Sequence, residues 1–394
     1  MLILSCNVGS TSLKYKLFDM TAGERELAWG HFEGVGRRFG AFQQQTVEGI
    51  REGADEPAAG YGDAISRMIR FMSEAGALEG GRCPDCVAFK VVAALGVSGV
   101  TLLDERVLGA MEALYSLLPA HNPPYVSAIR QFMRLMPGVP LVGSFETGFF
   151  KDMPEYAAIY PLPRALYDKG LRRNGAHGAS HEYVSQWVAA KEGRADMKII
   201  TCHLGGSSSL AAVKDGKGVD TTIGMSLQTG LPHNNRIGDI DAYLTFYLHE
   251  QMGMSLEDIK TMYAKESGLL GLSGGLSDDF RQIALAAATG NPEAKTAFDA
   301  FAYQIKKQIG AYMAALGGLD ALAFTGGIGQ NNPALRQAAL DGLEFMGISL
   351  DPDKNENAAP GSVISRDDSP VKVYVVATNE EIVIARKAQA LLGA

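Results

Sequence analysis

The chain repeats itself at about half its length. Residues 3–13 read Ile-Leu-Ser-Cys-Asn-Val-Gly-Ser-Thr-Ser-Leu, and residues 199–210 read Ile-Ile-Thr-Cys-His-Leu-Gly-Gly-Ser-Ser-Ser-Leu. Superposing Cys6 on Cys202 needs one inserted residue after Gly9 and Gly205, at an offset of about 196 in a chain of 394 residues. Both segments are apolar strand patterns that enter a Gly/Ser turn and resume as a strand, at 14–18 and 211–214. Shared order over this many positions predicts a duplication. A glycine/serine turn between buried strands also offers backbone N–H groups and hydroxyls to an anion such as phosphate.

The remainder alternates between the two periodicities. Strands are predicted at 87–92, 140–144, 198–204, 321–325 and 371–377. Helices are predicted at 61–76, 105–117, 123–135, 180–191, 239–252, 292–316, 333–345 and 379–391. In the segment 239–250, Ile240, Tyr243, Leu244 and Tyr247 share one helical face. Strands alternating with helices imply an α/β fold with covered sheets. A domain boundary is expected near 145–165, where prolines interrupt any periodicity.

Several function classes drop out. The net charge of −8 comes with no Lys/Arg block, which argues against nucleic-acid binding. The uncharged runs 91–103 and 321–335 are shorter than the ~20 residues of a membrane span, and glycine or polar residues break both. The N-terminus has no basic segment or cleavage signature and reads as mature sequence. Only Cys6, Cys83, Cys86 and Cys202 are present, which suits the cytoplasm. The single CxxC at Cys83-Pro-Asp-Cys86 lacks the partner pair or thioredoxin-like context of a zinc or redox site, so inert thiols are expected.

Polar clusters remain. Phe324-Thr-Gly-Gly-Ile-Gly-Gln-Asn331 is a third glycine turn, at a strand-to-helix junction suited to an anion or nucleotide. His177-Gly-Ala-Ser-His181 places two histidines at i and i+4; metal ligation would need a third ligand, and phosphoryl contact is the other reading. His121-Asn-Pro-Pro is a rigid turn. In Asn234-Asn-Arg236-Ile-Gly-Asp239, the arginine could clamp an anion and Asp239 is expected to cap the next helix. Thr378-Asn-Glu380-Glu381 reads as a helix cap or as a metal-positioning carboxylate. There is no nucleophile–base pair of the GxSxG kind, and the inventory suits phosphoryl transfer, which needs positioning and charge neutralisation.

With these motifs the chain resembles the acetate kinase family along nearly its whole length. The matches include Cys6-Asn-Val-Gly-Ser-Thr-Ser-Leu-Lys14, His121-Asn-Pro, Arg172-Arg-Asn-Gly-Ala-His-Gly-Ala-Ser-His181, Val219-Asp-Thr-Thr and Arg236-Ile-Gly-Asp-Ile-Asp. Glu266-Ser-Gly-Leu-Leu-Gly, Ser277-Asp-Asp-Phe-Arg281, the third glycine turn and Thr378-Asn-Glu-Glu381 continue them. The resemblance implies duplicated actin/hexokinase-like (ribonuclease H-like) α/β domains with a central cleft. They would span 1–150, completed by the C-terminal helix at about 382–394, and 151–381. It implies a cytoplasmic homodimer using ATP/ADP as co-substrate, Mg²⁺ or Mn²⁺, and a small carboxylic acid, with no nucleic-acid or membrane partner.

By the same resemblance, Asn7 and Glu380 would position the metal, while Ser10, Ser12 and Lys14 would line the phosphate site. His203, Leu204, Gly205, Gly206 and Ser207 would contact nucleotide phosphates, and Asp279, Phe280 and Arg281 the adenosine. Gly327, Ile328, Gly329, Gln330 and Asn331 would flank the nucleotide's other side. His177 and Arg236 would stabilise the phosphoryl group in flight, with Glu146 and Lys90 also catalytic. Lys90, Val92, Ala120 and Ala176 would form the acid site.

Some positions depart from the family. Lys90 stands for an arginine and loses its bidentate fork; Glu146 stands for an aspartate; the turn Gly205-Gly-Ser-Ser-Ser209 replaces Gly-Asn-Gly-Ser-Ser. Ala120 and Ala176 replace a leucine and a phenylalanine that line the family's acyl pocket. Three readings follow: an acetate kinase, a kinase for a larger acid such as propionate or butyrate, and a nucleotide-binding paralogue with weakened catalysis.

Overall fold

The computed structural model describes residues 1–21, 23–46, 49–78, 80, 82–118 and 121–393. The chain divides into two compact units, Met1–Lys151 with Asn379–Ala394, and Asp152–Thr378.

Unit 1 is built on an eight-stranded sheet. Its strands are β1 (Leu2–Val8), β2 (Ser12–Asp19), β3 (Arg25–Glu33), β4 (Ala41–Thr46), β5 (Gly49–Gly53), β6 (Cys86–Val91), β7 (Val100–Leu102) and β8 (Leu141–Phe145). Their order is β5-β4-β3-β2-β1-β6-β8-β7. Unit 2 holds β9 (Lys198–Leu204), β10 (Ser208–Lys214), β11 (Lys217–Thr221), β12 (Ala321–Thr325), β13 (Ser362–Val363) and β14 (Lys372–Val375), in the order β11-β10-β9-β12-β14-β13.

The two orders are one pattern. From β3 to β7 and from β11 to β13 the pairings run antiparallel, antiparallel, parallel, parallel, antiparallel. Registers agree as well: Cys6 faces Phe89 across the first parallel pair, and Cys202 faces Phe324 across the second. The duplication expected from the sequence is therefore present in the fold. Its alignment needs a correction beyond the turn. Val8 pairs with Leu13, but Leu204 pairs with Ser208, so the second turn is the shorter one, not the longer. Leu13 corresponds to Ser208 rather than Leu210. Matching Ser-Leu letters hid a two-residue slip, and a slip of two keeps every side chain on its own face.

Helices cover the sheets because parallel strands buried on both faces need apolar partners. In unit 2 the helix Gly178–Glu192 packs on β9, β11 and β12. In unit 1 that place is taken by the last helix, Glu380–Leu392, which packs on β1, β2, β6, β7 and β8 and buries Ile382, Val383, Ile384, Ala385 and Ala388. Asn379 caps it, its Oδ1 accepting the N–H of Ile382 at 3.3 Å.

Other expectations change. The helix expected at 239–252 is only Tyr243–Glu250, capped at Ala242. Asp239 is not its cap; its Oδ1 accepts the N–H of Gly230 at 2.8 Å. Ile240, Tyr243, Leu244 and Tyr247 are exposed, so the shared face is not core. The helix at 333–345 stops at Leu340, since Gly342 turns left-handed (φ 74°). That at 105–117 stops at Glu112. Strands β3, β4, β5, β7, β11 and β13 carried no reading from sequence.

Truncating Ile384 to alanine should leave a hole under β1 and β6. The cost is expected at roughly 2–5 kcal/mol, the usual range for a fully buried isoleucine, read as a lowered urea midpoint.

Candidate functional site

In unit 1 the polar residues collect at the carboxyl ends of the parallel strands. Asn7 lies near the end of β1, Lys90 near the end of β6, and Glu146 just past β8 in the 3₁₀ turn Glu146–Phe150. Asn7 and Lys90 are register partners, and the Asn7 Oδ1 accepts the Tyr125 hydroxyl at 3.0 Å. Lys90 Nζ donates to Glu380 Oε2 and lies 3.7 Å from Glu146 Oε2. Burial pushes the Lys90 ammonium toward neutrality, but Glu146 and Glu380 outweigh it and hold the group charged, above the ordinary lysine range. Burial pushes the Tyr125 phenol up.

Two carboxylates around one ammonium leave net negative charge beside an amide oxygen. That hard-oxygen set suits a magnesium ion that keeps much of its water. Among the described residues no group of three or more His, Cys, Asp or Glu side chains could hold a metal by itself, and both ring nitrogens of His181 face hydroxyl groups. Ser10, Ser12 and Lys14 sit at or after the β1–β2 turn, Ser10 and Lys14 exposed. The His121-Asn-Pro-Pro turn is structural at Asn122, whose buried amide donates to the Ala93 and Met111 carbonyls. Val92 is half-buried beyond β6. Ala120 lies outside the described residues.

Unit 2 carries a cavity of roughly 550 Å³. Gly205, Gly206, Asp279, Phe280, Arg281, Gly327, Ile328 and Asn331 all line it, and Asn234, Asp278 and Asn332 join them. Its elements are placed by local rules. Gly326 takes φ 76° against Leu204, where a Cβ would meet the Leu204 backbone at 2.5–3.0 Å, so only glycine lets the helix Gly326–Asn331 start there. Asp279 caps the helix Phe280–Ala288 and forms a two-point ion pair with Arg281. Phe280 is buried and packs on Phe298 and Phe301. The Gly329 and Gln330 carbonyls point the other way, held by the buried Arg336 at 2.8 and 2.7 Å. Burial pushes that guanidinium down to about 10. No sequence signal marked Arg336, because an arginine in a helix reads as surface.

Beside the cavity, Ser207 Oγ and Asn234 Oδ1 are buried with no hydrogen-bond partner among the described residues. Orphans of this kind ask for a ligand or water. Arg236 is half-buried, its guanidinium pushed down by burial, and no carboxylate among the described residues pairs with it. His177 and His203 do not line the cavity; their rings stack at 4.3 Å. Leu204 and Ala176 are buried.

Two copies of one mixed sheet, each with polar groups at its parallel strand ends, define a duplicated actin-like protein. Residues 2–386 match the model of the acetokinase family. The acetate kinase of Clostridium botulinum is 41% identical over 395 residues, covering 98% of each chain. Among solved structures, the acetate kinase of Porphyromonas gingivalis superposes with a TM-score of 0.88 at 34% identity, covering 99% of both chains. A propionate kinase from Francisella tularensis gives 0.89 at 32%, covering 98% of both. The chain belongs to the acetokinase family.

His233 supplies a pH test. It is fully buried, its Nδ1 accepting the Ser208 N–H at 3.0 Å and its Nε2 donating to the Thr229 carbonyl at 3.2 Å. Burial, with the nearby Arg236 charge, pushes it down to about 3. The unfolded chain therefore binds the extra proton first, below its ordinary value near 6.5. Its contribution to stability is whole above about 6.5 and is lost as pH falls toward 3. His233→Asn keeps an acceptor for Ser208, and its urea midpoint should fall less between pH 7 and 5 than that of the native chain.

Proposed function

We propose that this protein is an ATP-dependent carboxylate kinase that reversibly transfers the γ-phosphoryl group of ATP to acetate, giving acetyl phosphate and ADP. The observation that carries this reading is the unit 2 cavity, lined by glycine turns and by Asn234, whose buried side-chain oxygen has no hydrogen-bond partner among the described residues. The family relationship supports the same chemistry.

A carboxylate oxygen attacks the γ-phosphorus as the bond to the β,γ-bridging oxygen breaks, and no proton need move. Charge builds on the phosphoryl oxygens, so catalysis falls to fixed positive charge and hydrogen-bond donors. Arg236 supplies the charge and His177 an N–H donor. Backbone N–H groups of Gly206 and Ser207 and of the 326–331 segment cradle nucleotide phosphates. Ser10, Ser12 and Lys14 line the phosphate site in unit 1. Mg²⁺, when bound, neutralises charge across the phosphates, and Asn7 and Glu380 are the residues that would hold it. Lys90 is the cation offered to the acid's carboxylate and Glu146 helps to keep it charged, with Val92 beside the alkyl end.

One second reading is a longer acid such as propionate, favoured by the likeness to the Francisella tularensis propionate kinase and by the small side chain at Ala176. A hydroxamate assay over acetate, propionate and butyrate, with ATP and separately with pyrophosphate, decides between them. No acyl phosphate from any of the acids would sink the kinase reading. Arg236→Ala should lose most of its kcat, on the order of 10²-fold or more, while ATP still binds; near-normal kcat would remove Arg236 from the mechanism.

We place the enzyme in the cytoplasm, consistent with four free cysteines, and read it as a homodimer. Tyr243, Leu244, Phe246 and Tyr247 expose large apolar side chains together on unit 2, as subunit contacts do. Light scattering should give about twice the 42.0 kDa chain mass, and Phe246→Asp with Tyr247→Asp should return the monomer.

A further inference from the structure

His177 enters the helix Gly178–Glu192 in a left-handed backbone conformation (φ 55°), and its ring lies over that of His203. One turn along the same helix, His181 is fully buried. Its Nδ1 lies 2.6 Å from Thr201 Oγ1 and its Nε2 2.8 Å from Ser209 Oγ. The same Ser209 Oγ lies 2.7 Å from His177 Nδ1. Thr201, His181, Ser209 and His177 thus form one unbroken line of hydrogen bonds.

The line has a direction. Burial, reinforced by His203, holds His181 well below the usual histidine range, so its ring is neutral and carries one proton. Thr201 is fully buried, and the Nδ1 of His181 is the one hydrogen-bond partner of its hydroxyl among the described residues. If that nitrogen donated, the threonine proton would be left without an acceptor, the arrangement that buried polar groups avoid most strongly. Thr201 therefore donates to Nδ1, and His181 carries its proton on Nε2 and donates it to Ser209. Ser209 is fully buried with the two rings as its hydroxyl's partners, so its own proton goes to His177 Nδ1.

We propose that Thr201, His181 and Ser209 form a one-way donor chain that holds His177 as a neutral ring protonated at Nε2, which makes them positioning residues for phosphoryl transfer. A proton added at His177 Nδ1 would face Ser209, already accepting from His181, and would strand the serine's own proton. His177 is thereby kept a donor of fixed direction and no net charge. Ser180 acts likewise on the stacked ring: its buried hydroxyl has His203 Nδ1 as its partner, at 2.8 Å, and donates to it. The role of His177 at the phosphoryl group rests on the kinase reading; the direction of the chain does not.

The test is ring-nitrogen NMR of the full chain labelled with ¹⁵N-histidine at pH 7.5, with His177→Asn assigning that ring. The native protein should show His177 protonated at Nε2 alone. Ser209→Ala should mix its tautomers and lower kcat roughly ten- to a hundred-fold, less than the loss of a whole oxyanion donor, with the KM for ATP unchanged. Ser209→Thr should restore both. Should Ser209→Ala fail to fold, Thr201→Val gives the same readout by mixing the tautomers of His181 and His177. A native His177 protonated at Nδ1 or on both nitrogens overturns the proposal, as does an Nε2-only ring persisting in Ser209→Ala or Thr201→Val. A native spectrum as expected without any acyl-phosphate formation overturns the kinase reading and leaves the donor chain standing.

Discussion

Parallel strands buried on both faces leave a chain few places to keep polar groups. In each unit the central strand pairs antiparallel on one side and parallel on the other, and helices press on both faces. The strand interiors are then mostly apolar, as in Ile199, Ile200, Cys202 and Ala321 to Phe324, and a polar residue among them, such as Thr201, is hydrogen-bonded. What is polar collects where the parallel strands end: Asn7, Lys90 and Glu146 in one sheet, His203 and the Thr325–Gly326 junction in the other. Ligand sites of open α/β sheets lie at such carboxyl ends because helix starts and loose backbone N–H groups meet there. The chemistry of both units follows from that one constraint.

The units nonetheless handle charge differently. Unit 1 buries an ammonium between two carboxylates, which outweigh the desolvation of Lys90 and keep it charged. Unit 2 keeps the buried His181 and His233 neutral and hydrogen-bonds His181 to hydroxyl groups, and no carboxylate among the described residues pairs with Arg236. An arginine already paired with a carboxylate has less to offer an anion than one that is not.

Much of this was legible beforehand. The repeat announced the duplication, and the glycine turns announced the cavity wall at Gly205, Gly206 and Gly327. The failures have physical causes. Identical letters placed Leu13 on Leu210, because side-chain alternation cannot detect a slip of two. Asp239 resembled a cap because capping residues and loop residues are the same types; its carboxylate is used by Gly230 instead. The apolar face of 243–250 is exposed; periodicity reports amphipathicity, not what covers it. Asn332 and Asp278 reach the cavity only through folding, and Arg336 and Ser209 act through partners distant in the chain.

The sequence by itself determined the α/β class, the duplication, the family and most residues that line the unit 2 cavity. These depend on local periodicity, on turn chemistry and on motifs whose members are adjacent in the chain. Tertiary structure alone decided the hydrogen-bond partners. Lys90 meets Glu380 across 290 positions, and His181 meets Ser209 across 28. Whether a lysine is neutralised, or a histidine keeps its proton on one nitrogen, depends on distances of a few ångström and on the exclusion of water. Neither is written in the order of the residues.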